Sequence, residues 1–374
     1  MSQNKFLDLA CDGVKGLNPY QPGKPISELE REYGVTNIIK LASNENPLGA
    51  SEKAKAAMQE AMQDIQLYPD GNGFELKKAI ADKFGFGINQ ITLGNGSNDI
   101  LELIARVFLT TADESLFSQY SFAVYPLATQ AVGASINIVP ALPEDNEMPL
   151  GHDLSAMQAA ISDKTKVIFV ANPNNPTGTW LKAADLEAFI AAVPQNIIVV
   201  VDEAYFEYVQ EAEYPDCSKL VAKYPNLIVT RTFSKAHGLA GVRVGFSISH
   251  PDIADLLNRV RQPFNVNTMA QVAAVASLAD DEHIAASVES NSAGLKQITE
   301  FCDAKGVGYI PSVGNFICIK VGSNSSEIDE QLLRNGIIVR PVANYKMPEY
   351  LRVTVGTEAE NERLLKALEK IMEL

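Results

Sequence analysis

One lysine, Lys235, stands within Arg231-Thr232-Phe233-Ser234-Lys235-Ala236-His237-Gly238-Leu239-Ala240-Gly241-Val242-Arg243, among hydroxyls and eight residues before an arginine. A lysine amine attacks a carbonyl only when unprotonated, and burial beside other positive charge makes that form available near neutrality. The hydroxyls of Thr232 and Ser234 and the guanidinium of Arg243 are suited to a phosphate dianion. Together these types could hold a phosphorylated aldehyde; a solvated lysine after a strand is the plainer alternative. The preceding run, Leu227-Ile228-Val229-Thr230, reads as a buried strand.

Other polar groups also follow apolar runs. Val199-Val200-Val201-Asp202-Glu203-Ala204-Tyr205 places an acid directly after a strongly apolar strand. A carboxylate buried there needs a cation or a strong donor: a protonated pyridine nitrogen would serve, and so would a nearby arginine or a helix N-terminus. Tyr205 can present a phenol to a ring oxygen or pack against its neighbours. Ala171-Asn172-Pro173-Asn174-Asn175-Pro176-Thr177-Gly178 follows the strand expected over 167–170, and its two X-Pro steps and glycine pre-position the Asn175 amide. Tyr120, in Ser118-Gln119-Tyr120-Ser121-Phe122, can stack on a flat heteroaromatic ring or join the core. Gly94-Asn95-Gly96-Ser97-Asn98-Asp99 opens a helix periodic in Ile100, Leu101, Ile104 and Phe108, and the free N–H groups of such a start make a phosphate cradle.

The elements that must position these groups alternate. Strands are expected over 91–93, 115–117, 136–139, 167–170, 197–201, 227–230 and 244–248, with helices between several of them, notably over 182–192. Apolar strands joined by helices imply an α/β fold with a mostly parallel sheet covered on both faces. Ligands of such sheets lie outside the carboxyl ends of the strands, where the polar motifs fall. Residues 1–45, with Pro19, Pro22, Gly23 and Pro25, read as an N-terminal arm lying on other structure. Ser51 is placed to cap a helix through Ala54, Ala57, Met58 and Ala61. Residues 46–267 form the large unit, and 268–374 a smaller α+β unit: helix-rich over 268–305, then strands over 316–321, 337–340 and 351–355, with helices over 326–334 and 358–372. No flexible linker divides the two, so tight packing is expected.

Composition narrows the classes. Hydrophobic residues at 46% and charged residues at 21% are globular proportions. A net charge of −15 opposes a nucleic-acid surface, so any bound anion must be caught in a local positive pocket. Cys11, Cys217, Cys302 and Cys318 are far apart, which gives neither a disulfide framework nor a zinc motif and fits a reducing cytoplasm. The dispersed His152, His237, His250 and His283 give no metal constellation. Residues 1–8 lack the apolar core of a signal peptide, so none is expected, and no later apolar run approaches a membrane span.

Taken in order, G-N-G-S-N-D, A-N-P-N-N-P-T-G, V-D-E-A-Y and T-F-S-K-A-H-G-L-A-G-V-R closely resemble the fold-type-I pyridoxal-phosphate aminotransferases. The early L-A-S-N-E-N-P-L-G and the late L-R-V-T-V-G-T resemble the histidinol-phosphate aminotransferase branch of that family. The resemblance covers nearly the whole chain, and it implies pyridoxal 5'-phosphate as cofactor. By position it implies that Lys235 carries the cofactor and shuttles the substrate's α-proton, and that Asp202 keeps the pyridine nitrogen protonated. Asn175 and Tyr205 would bind the ring hydroxyl oxygen, and Tyr120 would stack on the ring face. Ser97, Asn98, Thr232, Ser234 and Arg243 would hold the cofactor phosphate, with Tyr68 reaching the phosphate of a neighbouring subunit in a homodimer with shared active sites. Asn98 stands where some relatives have an acid, so a backbone contact there is safer than a side-chain one.

The same resemblance implies that Arg352 binds the substrate anion. Arg340 and Tyr20 would add donors for a substrate phosphate, and Asn44 would line the pocket. The implied reaction is amino transfer between L-histidinol phosphate and 2-oxoglutarate, giving imidazole acetol phosphate and glutamate, in histidine biosynthesis. An aromatic amino-acid aminotransferase of the same branch is the alternative, since an imidazole pocket also admits a phenyl or phenol ring.

Overall fold

In the computed structural model, which describes residues 5–17 and 23–374, the short apolar runs assemble into a seven-stranded sheet. From edge to edge its strands are Ile91–Gly94, Gly245–Ser249, Leu227–Thr232, Ile198–Asp202, Thr165–Ala171, Glu114–Ser118 and Ser135–Val139. From Leu227–Thr232 to Ser135–Val139 neighbours pair in parallel, while Gly245–Ser249 runs antiparallel to both strands beside it. Side chains alternate across a pleated sheet, so continuous apolar strands feed two cores at once. Ile168, Val170, Val199, Val201 and Val229 enter one cluster; Val167, Phe169, Val200 and Ile228 enter the other.

Helices Glu52–Ala61, Phe74–Phe84 and Ala183–Ala192 cover the first face through Ala54, Leu76, Ile80, Leu186 and Ile190. Helices Ser97–Phe108, Val124–Ala131 and Pro251–Val260 cover the second through Ile100, Ile104, Tyr125, Ala128 and Leu257. Ser51 caps the first of these helices, its hydroxyl accepting from the Ala54 N–H.

A four-stranded antiparallel sheet forms the second layer system, in the order Arg340–Pro341, Tyr350–Thr354, Phe316–Lys320, Tyr309–Ile310. Its cluster includes Ile317, Ile319, Leu351 and Val353, closed by Ile298 of helix Asp281–Lys305, Leu332 of Ser325–Arg334 and Leu364 of Glu358–Met372. Ile39–Lys40 pairs in parallel with Ile337–Ile338, which ties the segment before residue 46 to this unit. The expected boundary between 267 and 268 needs correction. Helix Thr268–Leu278 buries Ala270, Ala273, Ala274 and Leu278 in the cluster of the large sheet. Its small side chains let it pack closely on neighbouring helices, and the change of unit falls within Asp281–Lys305, whose Cys302 joins the C-terminal cluster. Among the described residues no helix is long and apolar enough to cross a membrane.

Candidate active site

The carboxyl ends of the parallel strands open into a cavity of about 270 Å³, and the second unit closes its other side. Lys235 lies just beyond the Leu227–Thr232 strand and reaches into this cavity. Its Nζ donates to the Ser43 carbonyl at 3.2 Å and stands 5.6 Å from the centre of the Tyr205 ring. Burial and the positive charges of Arg352 and Arg243 push the amine down to about 7, against the opposing pull of Glu45 and Asp202. An unprotonated lysine is therefore available at neutral pH, as carbonyl chemistry requires. An amine-directed aldehyde should label the cofactor-free protein at Lys235 with a rate midpoint near pH 7, far below the roughly 10.4 of an ordinary lysine. Replacing Arg352 by Gln removes a repelling charge and should move that midpoint upward; an unshifted midpoint in the variant contradicts the electrostatic cause.

Asp202 ends its strand buried, with both oxygens occupied: Thr230 Oγ1 donates to Oδ1 at 2.9 Å and the Tyr125 hydroxyl to Oδ2 at 3.0 Å. Burial raises its pKa above the ordinary value, and these two hydrogen bonds oppose the rise. Tyr205 accepts from Asn44 Nδ2 at 2.9 Å, and burial pushes its phenol up to about 12, against Arg352 and the Asn44 bond. A phenol that stays protonated at neutral pH still has its own proton to donate.

Arg352 is held as a fork. Its Nη1 donates to Asn175 Oδ1 at 2.6 Å and its Nη2 to the Ala42 carbonyl at 2.8 Å. Its Nε is buried and meets no acceptor among the described residues. Arg340 pairs with Arg352 in antiparallel register, so both arginines serve the same cavity.

Elsewhere along the cavity Ser97 and Asn98 begin a helix, where N–H groups and the helix dipole favour an anion. Arg243 Nη1 donates to the Ala240 carbonyl at 3.0 Å and to Ser234 Oγ at 3.4 Å, and Thr232 Oγ1 accepts from the Ser234 N–H at 3.1 Å. The backbone crowds in to make this wall. A Cβ on Gly96 would lie 2.4 Å from Arg243 Nη2, and one on Gly245 2.5 Å from the Ser97 nitrogen.

Lys235, Asp202, Tyr205, Asn175, Ser97, Asn98, Thr232, Ser234, Arg243, Arg352, Arg340 and Asn44 thus line one cavity. Tyr120 does not, and its expected stacking place is corrected. It packs, partly buried, in the cluster of Leu150, Val342 and Tyr345, and its carbonyl accepts from Asn174 Nδ2 at 2.7 Å. Phe122, two residues on, lines the cavity instead. Tyr68 is 82% exposed, stacks on Phe264 at 4.8 Å, and is absent from this cavity's wall. Tyr20 lies outside the described residues. Sequence reasoning missed Thr230, Tyr125, Ser43 and Glu45. Only Thr230 carried a signal, an inward hydroxyl two positions before Thr232 on a strand.

Residues 36–368 match the sequence model of the family "Aminotransferase class I and II", and the chain belongs to that family. It is 52% identical to histidinol-phosphate aminotransferase 1 of Nitrosococcus oceani, over 100% of this chain and 99% of that protein. It is 54% identical to histidinol-phosphate aminotransferase 2 of Pseudomonas fluorescens (strain Pf0-1), again over 100% and 99%. The crystal structure of histidinol-phosphate aminotransferase from Sinorhizobium meliloti in complex with pyridoxal-5'-phosphate matches with a TM-score of 0.88 at 26% identity, covering 100% of this chain and 98% of that one. The fold is that of the fold-type-I pyridoxal-phosphate-dependent transferases.

Proposed function

We propose that this protein transfers the amino group of L-histidinol phosphate to 2-oxoglutarate, giving imidazole acetol phosphate and glutamate, as a step of histidine biosynthesis. The observation that carries the reading is the arrangement of two separate cationic places around one lysine whose pKa is lowered to about 7. Arg243 with the Ser97 helix start forms one; Arg352 with Arg340 forms the other. A cofactor phosphate and a substrate anion can then be held at once within the cavity that Lys235 enters.

The residues fit pyridoxal phosphate by their own chemistry. Lys235 supplies the neutral amine, the buried Asp202 a carboxylate for a ring nitrogen, Tyr205 and Asn175 polar groups for a ring oxygen, and the glycine-crowded helix start the anion site. When bound, that group supplies a carbonyl for amine exchange and an electron-drawing ring. Everything else is done by the chain. The neutral Lys235 amine would take the proton from the amino-bearing carbon of the substrate and hand it to the bound group, with the reverse transfer serving the second substrate. Phe122 faces the cavity where a flat ring would lie, and Asn44 holds Tyr205. Arg352 presents a planar fork that a carboxylate or a phosphate can fill in turn, as a two-substrate exchange demands.

A donor panel tests the substrate. Histidinol phosphate should give a kcat/KM well above those of phenylalanine and tyrosine with 2-oxoglutarate as acceptor. The reverse order would make the protein an aromatic amino-acid aminotransferase.

The reading extends to assembly and place: a homodimer in the cytoplasm with shared active sites, an arm before residue 46, a large cofactor-binding unit and a small C-terminal unit. Met62, Ile65, Leu67, Tyr68, Phe74 and Phe264 are all exposed, an apolar surface that supports burial against a second copy. In that dimer Tyr68 belongs to the partner's phosphate site. Mixing Lys235→Ala subunits with Tyr68→Ala subunits should therefore regenerate part of the activity, because a hybrid holds one unaltered site. No recovery after verified subunit exchange would refute the sharing.

A further inference from the structure

Among the described residues Asp202 is the only carboxylate at the carboxyl ends of the central parallel strands that also lines the cavity, and its two oxygens are filled from different elements. Thr230, on the neighbouring strand, reaches one. The other is reached by Tyr125, from helix Val124–Ala131 on the far side of the sheet. Tyr125 is fully buried, and its ring lies flat on Phe169 at 4.7 Å with a 6° angle between planes. The same ring takes the edge of Phe122 at 5.9 Å and 86°. Phe122 lines the cavity. One side chain therefore touches both Phe122 and Asp202, two residues that line the cavity.

We propose that Tyr125 is a positioning residue: its hydroxyl fixes the plane of the Asp202 carboxylate and keeps it ionised as the acceptor for a cofactor ring nitrogen, while its ring seats Phe122. The proposal rests on the reading of Asp202 as that acceptor. Its physical ground is the cost of burying a charge. A carboxylate removed from water stays ionised only if donors replace the water. Here the donors are Thr230, Tyr125 and the backbone N–H of Ala204, and the charged group facing Asp202 is Lys235. The Lys235 amine, with its pKa lowered to about 7, is only partly charged near neutrality, so the neutral donors share the load. The phenol of Tyr125 is held well above its ordinary range by burial, so it donates at every working pH. With one donor gone, the balance moves toward the protonated acid. A protonated acid offers a hydrogen where a protonated ring nitrogen needs an acceptor, and the nitrogen loses its proton.

The test uses holoenzyme reconstituted with pyridoxal phosphate carrying nitrogen-15 in its ring, whose chemical shift reports protonation directly. Four proteins are compared across pH: the natural one, Tyr125→Phe, Phe169→Leu and Asp202→Asn. In Tyr125→Phe the midpoint of ring-nitrogen deprotonation should fall by about one unit, a tenfold change in the protonation equilibrium. Its kcat should fall by about as much with little change in KM. Phe169→Leu removes ring support and leaves the hydroxyl, so it should lower the melting temperature without moving the midpoint; a purely structural Tyr125 would make the two variants alike. A folded, cofactor-loaded Tyr125→Phe with the natural midpoint overturns the proposal. If Asp202→Asn also keeps the nitrogen protonated, the failure lies in the reading of Asp202; if Asp202→Asn deprotonates it, the failure lies with Tyr125 alone. Should Tyr125→Phe not fold, 4-fluorophenylalanine at the same position keeps the ring and its bulk without a donor, and an unchanged midpoint there is equally decisive.

Discussion

Lys235→Ala should lose roughly 10⁴-fold or more in kcat while gaining stability in its cofactor-free form. The rate loss combines two roles, the attachment amine and the group that moves the α-proton; loss of a positioned base alone is worth about 10²- to 10⁴-fold. Both gains and losses trace to the same placement. Among the described residues Lys235 makes one hydrogen bond, to the Ser43 carbonyl, and the charges of Arg352 and Arg243 oppose its protonation while Glu45 and Asp202 favour it. Its folded pKa of about 7 lies below the roughly 10.4 of the unfolded chain, so the unfolded state binds more protons between those values. Stability of the natural protein therefore rises with pH across that window, and the penalty from Lys235 is fully present below pH 7. Thermal melts of the cofactor-free pair should show Lys235→Ala ahead at pH 6, with the gap closing toward pH 10. A gap that is absent at pH 6, or that widens as pH rises, would contradict the depressed pKa.

Much of this site was legible because its residues follow strands that are apolar on both faces. Lys235 beyond 227–230, Asp202 beyond 197–201 and Asn175 beyond 167–170 could all be set at one end of one sheet once the strands were parallel. Groups that depend on how elements meet were not legible. Tyr120 and Phe122 are two aromatics in one loop, and neither period nor propensity says which faces inward; the turn of the chain after Ser118 gives the cavity to Phe122. Tyr125 reads as a core residue of a helix, and its reach to Asp202 exists only after that helix packs on the sheet. Helix Thr268–Leu278 shows no change of composition that would assign it to either unit. Its alanines are equally at home in both, and only packing places it with the large sheet. The facing of Arg340 and Arg352 likewise needs the antiparallel register of two strands, one of them only two residues long.

Arg352→Ala should lower kcat/KM roughly 30- to 1,000-fold for both the amino donor and 2-oxoglutarate, the range typical when one partner of a buried charged contact is removed. Two effects add. The fork that fills with substrate anion is gone, and Asn175 Oδ1 and the Ala42 carbonyl lose their donors. Arg352 is also the strongest charge depressing Lys235, so its removal raises the lysine pKa and leaves more of the amine protonated at neutral pH. The acid limb of the pH–rate profile should therefore shift upward, with part of the lost rate returning at higher pH. Arg352→Lys retains a charge without the planar fork. It should restore the pH profile more than it restores KM. Arg340 gives the contrast, since it shares the cavity but is not among the leading charges acting on Lys235. Arg340→Ala should raise KM for histidinol phosphate more than for glutamate and leave the acid limb in place. If instead both arginine variants shift the limb equally, the division of labour between a fork that tunes the lysine and a second cation that selects the substrate phosphate is wrong.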